Sequence, residues 1–220
     1  MGTRPGTLPG ETGKRFMTFR LHRGDLPDGL TFKGAVAIDT ETLGLNPHRD
    51  RLCLVQISSG DGTADLVQIL PGQTRAPNLE ALFRDRSVLK LFHFARFDLA
   101  VLFKTFGVMP EPVWCTKIAS KLVRTYTDRH GLKDLVRELL GVEISKQQQS
   151  SDWGADSLTD SQLAYAASDV LYLHALKTQL EALLIREGRG ALAEACYAFL
   201  PIRSALDLTG FAEDDIFAHS

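Results

Sequence analysis

The sequence predicts a mixed α/β domain in which a central sheet is flanked by helices. Short apolar runs of strand length, set off by turn residues, lie between positions 35 and 70. After position 97 the apolar residues change to helical spacing. The chain has 220 residues, 44% apolar and 24% charged, which is enough for one full core and too little for two generous domains. A single domain is expected.

Composition also narrows the class of protein. No apolar run reaches the length of a membrane span, and no charged segment precedes an apolar block at the start of the chain, so a soluble, cytoplasmic protein with no membrane partner is expected. Cys53, Cys115 and Cys196 are far apart and form no Cys-x-x-Cys pair, a pattern of reduced thiols rather than of a zinc site. A formal net charge of -2 argues against holding long nucleic acid by electrostatics alone. It leaves room for a short nucleic acid brought to acidic residues by metal ions.

Residues 1–16 carry four glycines, two prolines and almost no apolar side chains, and read as a flexible lead, with Met17 an alternative start. The domain itself is expected over 17–206. Residues 19–32 read as a short strand or loop before an apolar strand at 35–42. Strands at 53–58 and 64–70 are joined by Ser59-Gly-Asp-Gly62, a hairpin signal that makes this part of the sheet antiparallel. Asn78 is placed to cap a short helix reaching about 85, and 88–94 has the apolar density of a buried strand. A largely buried helix follows from 97 to Gly107, then a short strand at 113–115 and a helix at 116–123. An amphipathic helix over 131–140 stops at Gly141. The polar stretch 145–152 reads as a loop over the site or a partner. One long helix is expected over 159–186, and a last one over 190–206 with Pro201 as a kink or break. The acidic tail 207–220, with Phe211, Ile216 and Phe217, suits docking on a neighbouring subunit.

The chemistry begins at the end of the strand at 35–42. Alternate strand residues share a face, so Asp39 and Glu41 point the same way, and Gly44 and Asn46-Pro47 then turn the chain. Two carboxylates at that spacing need a cation, although a strand end meeting water is the plain alternative. A buried strand next delivers Asp98 to the start of an apolar helix, where it can also serve the helix N-terminus. Tyr165 and Asp169, four apart, share one helical face. Each of these acids alone is ordinary; their combination is a much narrower description.

With these residues in place the sequence resembles the DEDD exonuclease superfamily in its tyrosine variant, typified by RNase D. Asp39 and Glu41 match the first motif, Asp98 the second, and Tyr165 with Asp169 the third. Ala164 stands where the sister branch carries its histidine. The runs 128–135, 146–153 and 215–220 are similar to those of the small bacterial nanoRNase C group. This resemblance implies an RNase H-like exonuclease fold and removal of 5'-mononucleotides from the 3' end of very short RNA, dinucleotides included. DNA 3' ends or longer RNA are the alternative substrates, and a silent nucleic-acid-binding scaffold is the alternative class. A ring-like homo-octamer is implied as well.

The resemblance assigns catalysis to Asp39, Glu41, Asp98, Tyr165 and Asp169, with the four acids holding two divalent metal ions. Asp39 bridges the ions, Glu41 and Asp169 hold the first, and Asp98 supports the second. Four carboxylates balance two dications, and ligands that are all oxygen suit Mg2+ or Mn2+. Tyr165 is expected to orient the attacking water, its alternative being a packed core tyrosine. Among substrate-binding candidates, Leu43 is implied to wedge against the terminal bases. Thr40 and His93 are candidates for the 3'-terminal sugar, and Lys146 and Gln149, with Arg129, His130 and Lys133, for phosphates.

Overall fold

A computed structural model of the chain describes residues 4–8, 17–145 and 147–219. Among the described residues a seven-stranded sheet runs in the order β1-β2-β5-β4-β3-β6-β7. In chain order its strands are β1 (Arg4–Leu8), β2 (Met17–Arg23), β3 (Ala35–Thr42), β4 (Leu52–Ser58), β5 (Thr63–Gln68), β6 (Leu89–Phe92) and β7 (Val113–Cys115). Strands β3, β4 and β5 form the expected antiparallel meander, while β6 and β7 add in parallel on the far side of β3. The sheet is therefore mixed, with β3 central. Val36, Ala37 and Ile38 are fully buried in it, as is β4, which accounts for the apolar runs 36–38 and 52–55.

Helices α1 (Pro77–Arg84), α2 (Ala95–Phe106), α3 (Thr116–Val123), α4 (Leu132–Leu140), α5 (Asp160–Leu171), α6 (Leu173–Arg186) and α7 (Gly190–Leu208) flank the sheet. Helix α5 packs on β2, β3, β4 and β5, and α2 packs on β4, β6 and β7 as well as on α7. Both helices thereby bring their polar residues to the end of β3. The stops at Gly107 and Gly141 fall where expected, each in the left-handed conformation that ends a helix.

Four expectations need correction. The pairing of Arg4–Leu8 with β2 gives part of the lead a strand. A ladder at a sheet edge is made by backbone groups and does not require the apolar side chains on which the expectation rested. The remaining residues of the lead lie outside the described ones. Asn78 does not cap α1: Pro77 opens the helix, and Asp25 accepts the N–H groups of Asn78 and Leu79 at 2.8 and 3.0 Å. The helix at 159–186 is two helices that meet at Tyr172. Neither glycine nor proline marks the break; the chain there changes partners, from the sheet under α5 to α3, α4 and β6 under α6. Finally, α7 runs through Pro201 to Leu208 without ending.

Candidate active site

Strand β3 carries Asp39 and Glu41 to the mouth of a cavity of about 660 Å³. The pairing of β3 with β4 slips between Glu41 and Thr42, an irregularity just before Leu43, whose side chain is half exposed at the cavity. Helix α5 is fixed by a reciprocal cap between Thr159 and Gln162, and presents Tyr165 and Asp169 to the same space. Helix α2 supplies Asp98 from its first turn. The residue before that helix, Phe94, has φ 68°, uncommon for a side chain other than glycine, and also lines the cavity.

Carboxylate oxygens of Asp39, Glu41 and Asp169 lie within 4.8 Å of one another. Asp98 is buried beside them and accepts a 2.6 Å hydrogen bond from Thr40 Oγ1. Burial raises all four carboxyl groups above the usual carboxylate range. Asp39 is pushed up to about 7 by burial, which the Thr40 backbone N–H partly offsets. Glu41 is pushed up to about 10 by burial and then by the charges of Asp39, Asp169 and Asp98. For Asp98 and Asp169 burial comes first and the charge of Asp39 second. Such a group holds protons at neutral pH unless cations take their place. The donor set, carboxylate oxygen throughout, fits hard divalent ions.

Tyr165 lines the same cavity and is held protonated by burial and then by the charges of Asp169, Glu41 and Asp39. His93 Nδ1 pairs with Thr116 Oγ1 at 2.8 Å, and burial followed by the charge of Lys117 lowers its pKa to about 3, so the ring is neutral. Thr40, Leu43, His93 and Gln149 line the cavity together with Lys133. Arg129 and His130 are not among its lining residues; His130 Nδ1 is paired with Ser120 Oγ at 2.8 Å. Lys146 lies outside the described residues.

The structure adds residues that the sequence did not single out. Lys117 lines the cavity with its ammonium 4.2 Å from the centre of the Phe94 ring, and burial lowers its pKa. Trp153 is buried and tilted against Tyr165, with ring centres 6.1 Å apart. Gln56 sits opposite Asp39 in the β3–β4 pairing and aims its amide at Asp39 Oδ2 over 3.5 Å. Trp153 is visible in the sequence only as the end of the run 146–153 that carries the resemblance, with no role attached.

A 3'-5' exonuclease family model matches residues 27–185, which contain every acid of this cluster. The chain belongs to the 3'-5' exonuclease family. Within that family it is 67% identical to Brucella melitensis NrnC solved with bound Mg2+, with a TM-score of 0.87 over 92% of this chain and 99% of the other. It is 68% identical to the same Brucella protein bound to pGG, with a TM-score of 0.89 over 93% of this chain and 100% of the other. Ribonuclease D of Acidiphilium cryptum is 37% identical over 74% of this chain and 41% of its own length. The exonuclease chain thus spans about two fifths of the curated Ribonuclease D sequences it matches.

Proposed function

We propose that this chain is a metal-dependent 3'-5' exoribonuclease that hydrolyses very short RNA, dinucleotides included, to 5'-mononucleotides. The observation that carries the reading is the convergence of Asp39, Glu41, Asp98, Tyr165 and Asp169 on one cavity beside Leu43. Asp39, Glu41, Asp98 and Asp169 would hold two divalent ions, Mg2+ or Mn2+, with Asp39 shared between them. Bound there, the ions supply charge neutralisation, water activation and stabilisation of the leaving oxygen.

The chain's own residues do the positioning. The Tyr165 hydroxyl, held protonated in the same cavity as the acids, is placed to hydrogen-bond the attacking water and orient it toward the phosphorus. A phenol held this firmly protonated orients and does not act as a general base. Asp98, fixed by Thr40, stands as the outer carboxylate. Leu43, half exposed at the rim, packs against the terminal base and gauges the 3' end, while Thr40, His93, Lys146 and Gln149 contact sugar or phosphate.

Preference for short RNA is supported by the match to the Brucella protein over nearly its whole length and by that protein's structure with pGG. The exposed apolar side chains of Phe211, Ile216 and Phe217 in the tail support a homo-oligomer, by resemblance an octamer. No helix among the described residues is long and apolar enough to cross a membrane, and a cytoplasmic enzyme is the matching proposal. The test is release of 5'-mononucleotides from RNA 3' ends on addition of Mg2+ or Mn2+, lost in Asp39→Ala. Product formation from internal cleavage would overturn the reading.

A further inference from the structure

Leu43 lies against the one residue of the 152–154 turn that has no side chain. A Cβ placed on Gly154 would sit 2.6 Å from Leu43 Cδ2, far inside the ~3.5–4 Å of ordinary carbon contact. The two residues are also joined through a third. The Arg51 carbonyl accepts the Leu43 N–H at 3.1 Å, while its Nη2 donates to the Gly154 carbonyl at 3.3 Å. Arg51 is itself held by Nη1 bonds of 3.1 Å to the carbonyls of Leu52 and Ile69.

The turn has little freedom to move aside. The Gly154 N–H donates to Asp152 Oδ1 at 3.0 Å, and Gln162 Nε2 donates to the Asp152 carbonyl at 3.1 Å, which ties the turn to the capped start of α5. Trp153 between them is buried against Tyr165. The Leu43 side chain, by contrast, is 53% exposed, and its terminal methyl groups can turn aside while its backbone N–H stays bonded to the Arg51 carbonyl. A side chain at 154 would therefore act mainly on Leu43, since its Cβ meets Asp152 Oδ1 at 3.3 Å and Arg51 Nη2 at 3.5 Å, approaches that need at most a few tenths of an ångström of adjustment.

We propose that Gly154 is a specificity-determining position: its missing side chain is the seat of Leu43, and Arg51 holds seat and leucine at that spacing. This rests on the reading of Leu43 as the gauge of the substrate's 3' end. A misplacement of about 1 Å in a substrate-positioning group can cost on the order of 100-fold in rate, so even a methyl group matters here.

The test is a double-mutant cycle on a 5'-phosphorylated RNA dinucleotide with Mg2+, comparing kcat/KM for the natural chain, Leu43→Ala, Gly154→Ala and the double variant. Gly154→Ala is expected to lower kcat/KM about tenfold in the natural background and less than about twofold when Leu43 is already alanine. An equal loss in both backgrounds, or no loss in the first, overturns the proposal. If Gly154→Ala does not fold, the double variant is expected to fold, because the 2.6 Å approach to Leu43 is gone and only the milder 3.3 Å approach to Asp152 Oδ1 remains; a double variant that also fails to fold overturns it. Should Leu43→Ala alone leave kcat/KM unchanged, the gauge reading falls and this inference with it. A clear Leu43→Ala loss with an uncoupled Gly154→Ala loss sinks the inference alone.

Discussion

Thr40 Oγ1 donates a 2.6 Å hydrogen bond to Asp98 Oδ1, joining the central strand to the first turn of α2 across 58 residues. It fixes the orientation of Asp98 in the cavity that also holds Asp39, Glu41 and Asp169. Removing an outer partner of a metal-binding carboxylate commonly costs about 10- to 100-fold in metal affinity or activity. Thr40→Val should therefore raise the Mg2+ concentration needed for half-maximal activity by about tenfold, and Thr40→Ser should restore it. A metal titration of activity in the three proteins checks this. An unchanged curve for Thr40→Val would place the hydroxyl with the substrate sugar instead.

The four acids are a burden on the protein without cations, since burial and mutual repulsion disfavour their charged forms. Asp39→Ala and Asp169→Ala should each abolish hydrolysis while leaving the circular dichroism spectrum intact. Their melting temperatures in chelator at pH 8 should equal or exceed that of the natural chain. A fold lost in both variants would mean that the carboxylates are structural.

The folded pKa values of Asp39 and Glu41 are raised to about 7 and about 10. Unfolded carboxyl groups titrate near ~4, so between there and those raised values the folded chain binds more protons than the unfolded one. Stability then falls as pH rises. With metal chelated, the melting temperature should decline from about pH 4 to about pH 10, the range spanned by the unfolded and raised folded values. Mg2+ or Mn2+ should flatten that decline by taking the protons' place. Calorimetry with and without metal measures both slopes, and a metal-free protein that gains stability with pH would contradict the assignment.

Tyr165 shares the cavity with the four acids and stays protonated beside them. Tyr165→Phe removes that hydroxyl and keeps the ring that packs on Trp153. Turnover should fall by at least about tenfold with KM nearly unchanged, the mark of an interaction made in the transition state. Single-turnover kinetics separate this from a packing defect, which would weaken binding equally.

The sheet meander and the acid cluster were legible because they rest on local rules. The Asp39–Glu41 face follows from strand period, the 59–62 turn from its glycines, and the Tyr165–Asp169 face from helical period. Resemblance then joined acids that lie far apart in sequence. What could not be read depended on tertiary contacts. Lys117 looks like any lysine in the first turn of a short helix until the fold sets it over Phe94. Gln56 reads as one polar residue inside an apolar strand, and only the β3–β4 register brings it to Asp39. The break at Tyr172 follows from a change of packing partners. Asp25 caps α1 from more than 50 residues away, a distance at which no local capping rule applies.

The most direct measurement is a length series of 5'-labelled RNA and DNA with Mg2+ or Mn2+, resolved by product size and run beside Asp39→Ala. The account predicts stepwise loss of 3' mononucleotides, fastest for RNA dinucleotides and absent in the variant. Equal rates on dinucleotides and long DNA would contradict the short-RNA claim, and activity surviving in Asp39→Ala would contradict the site itself.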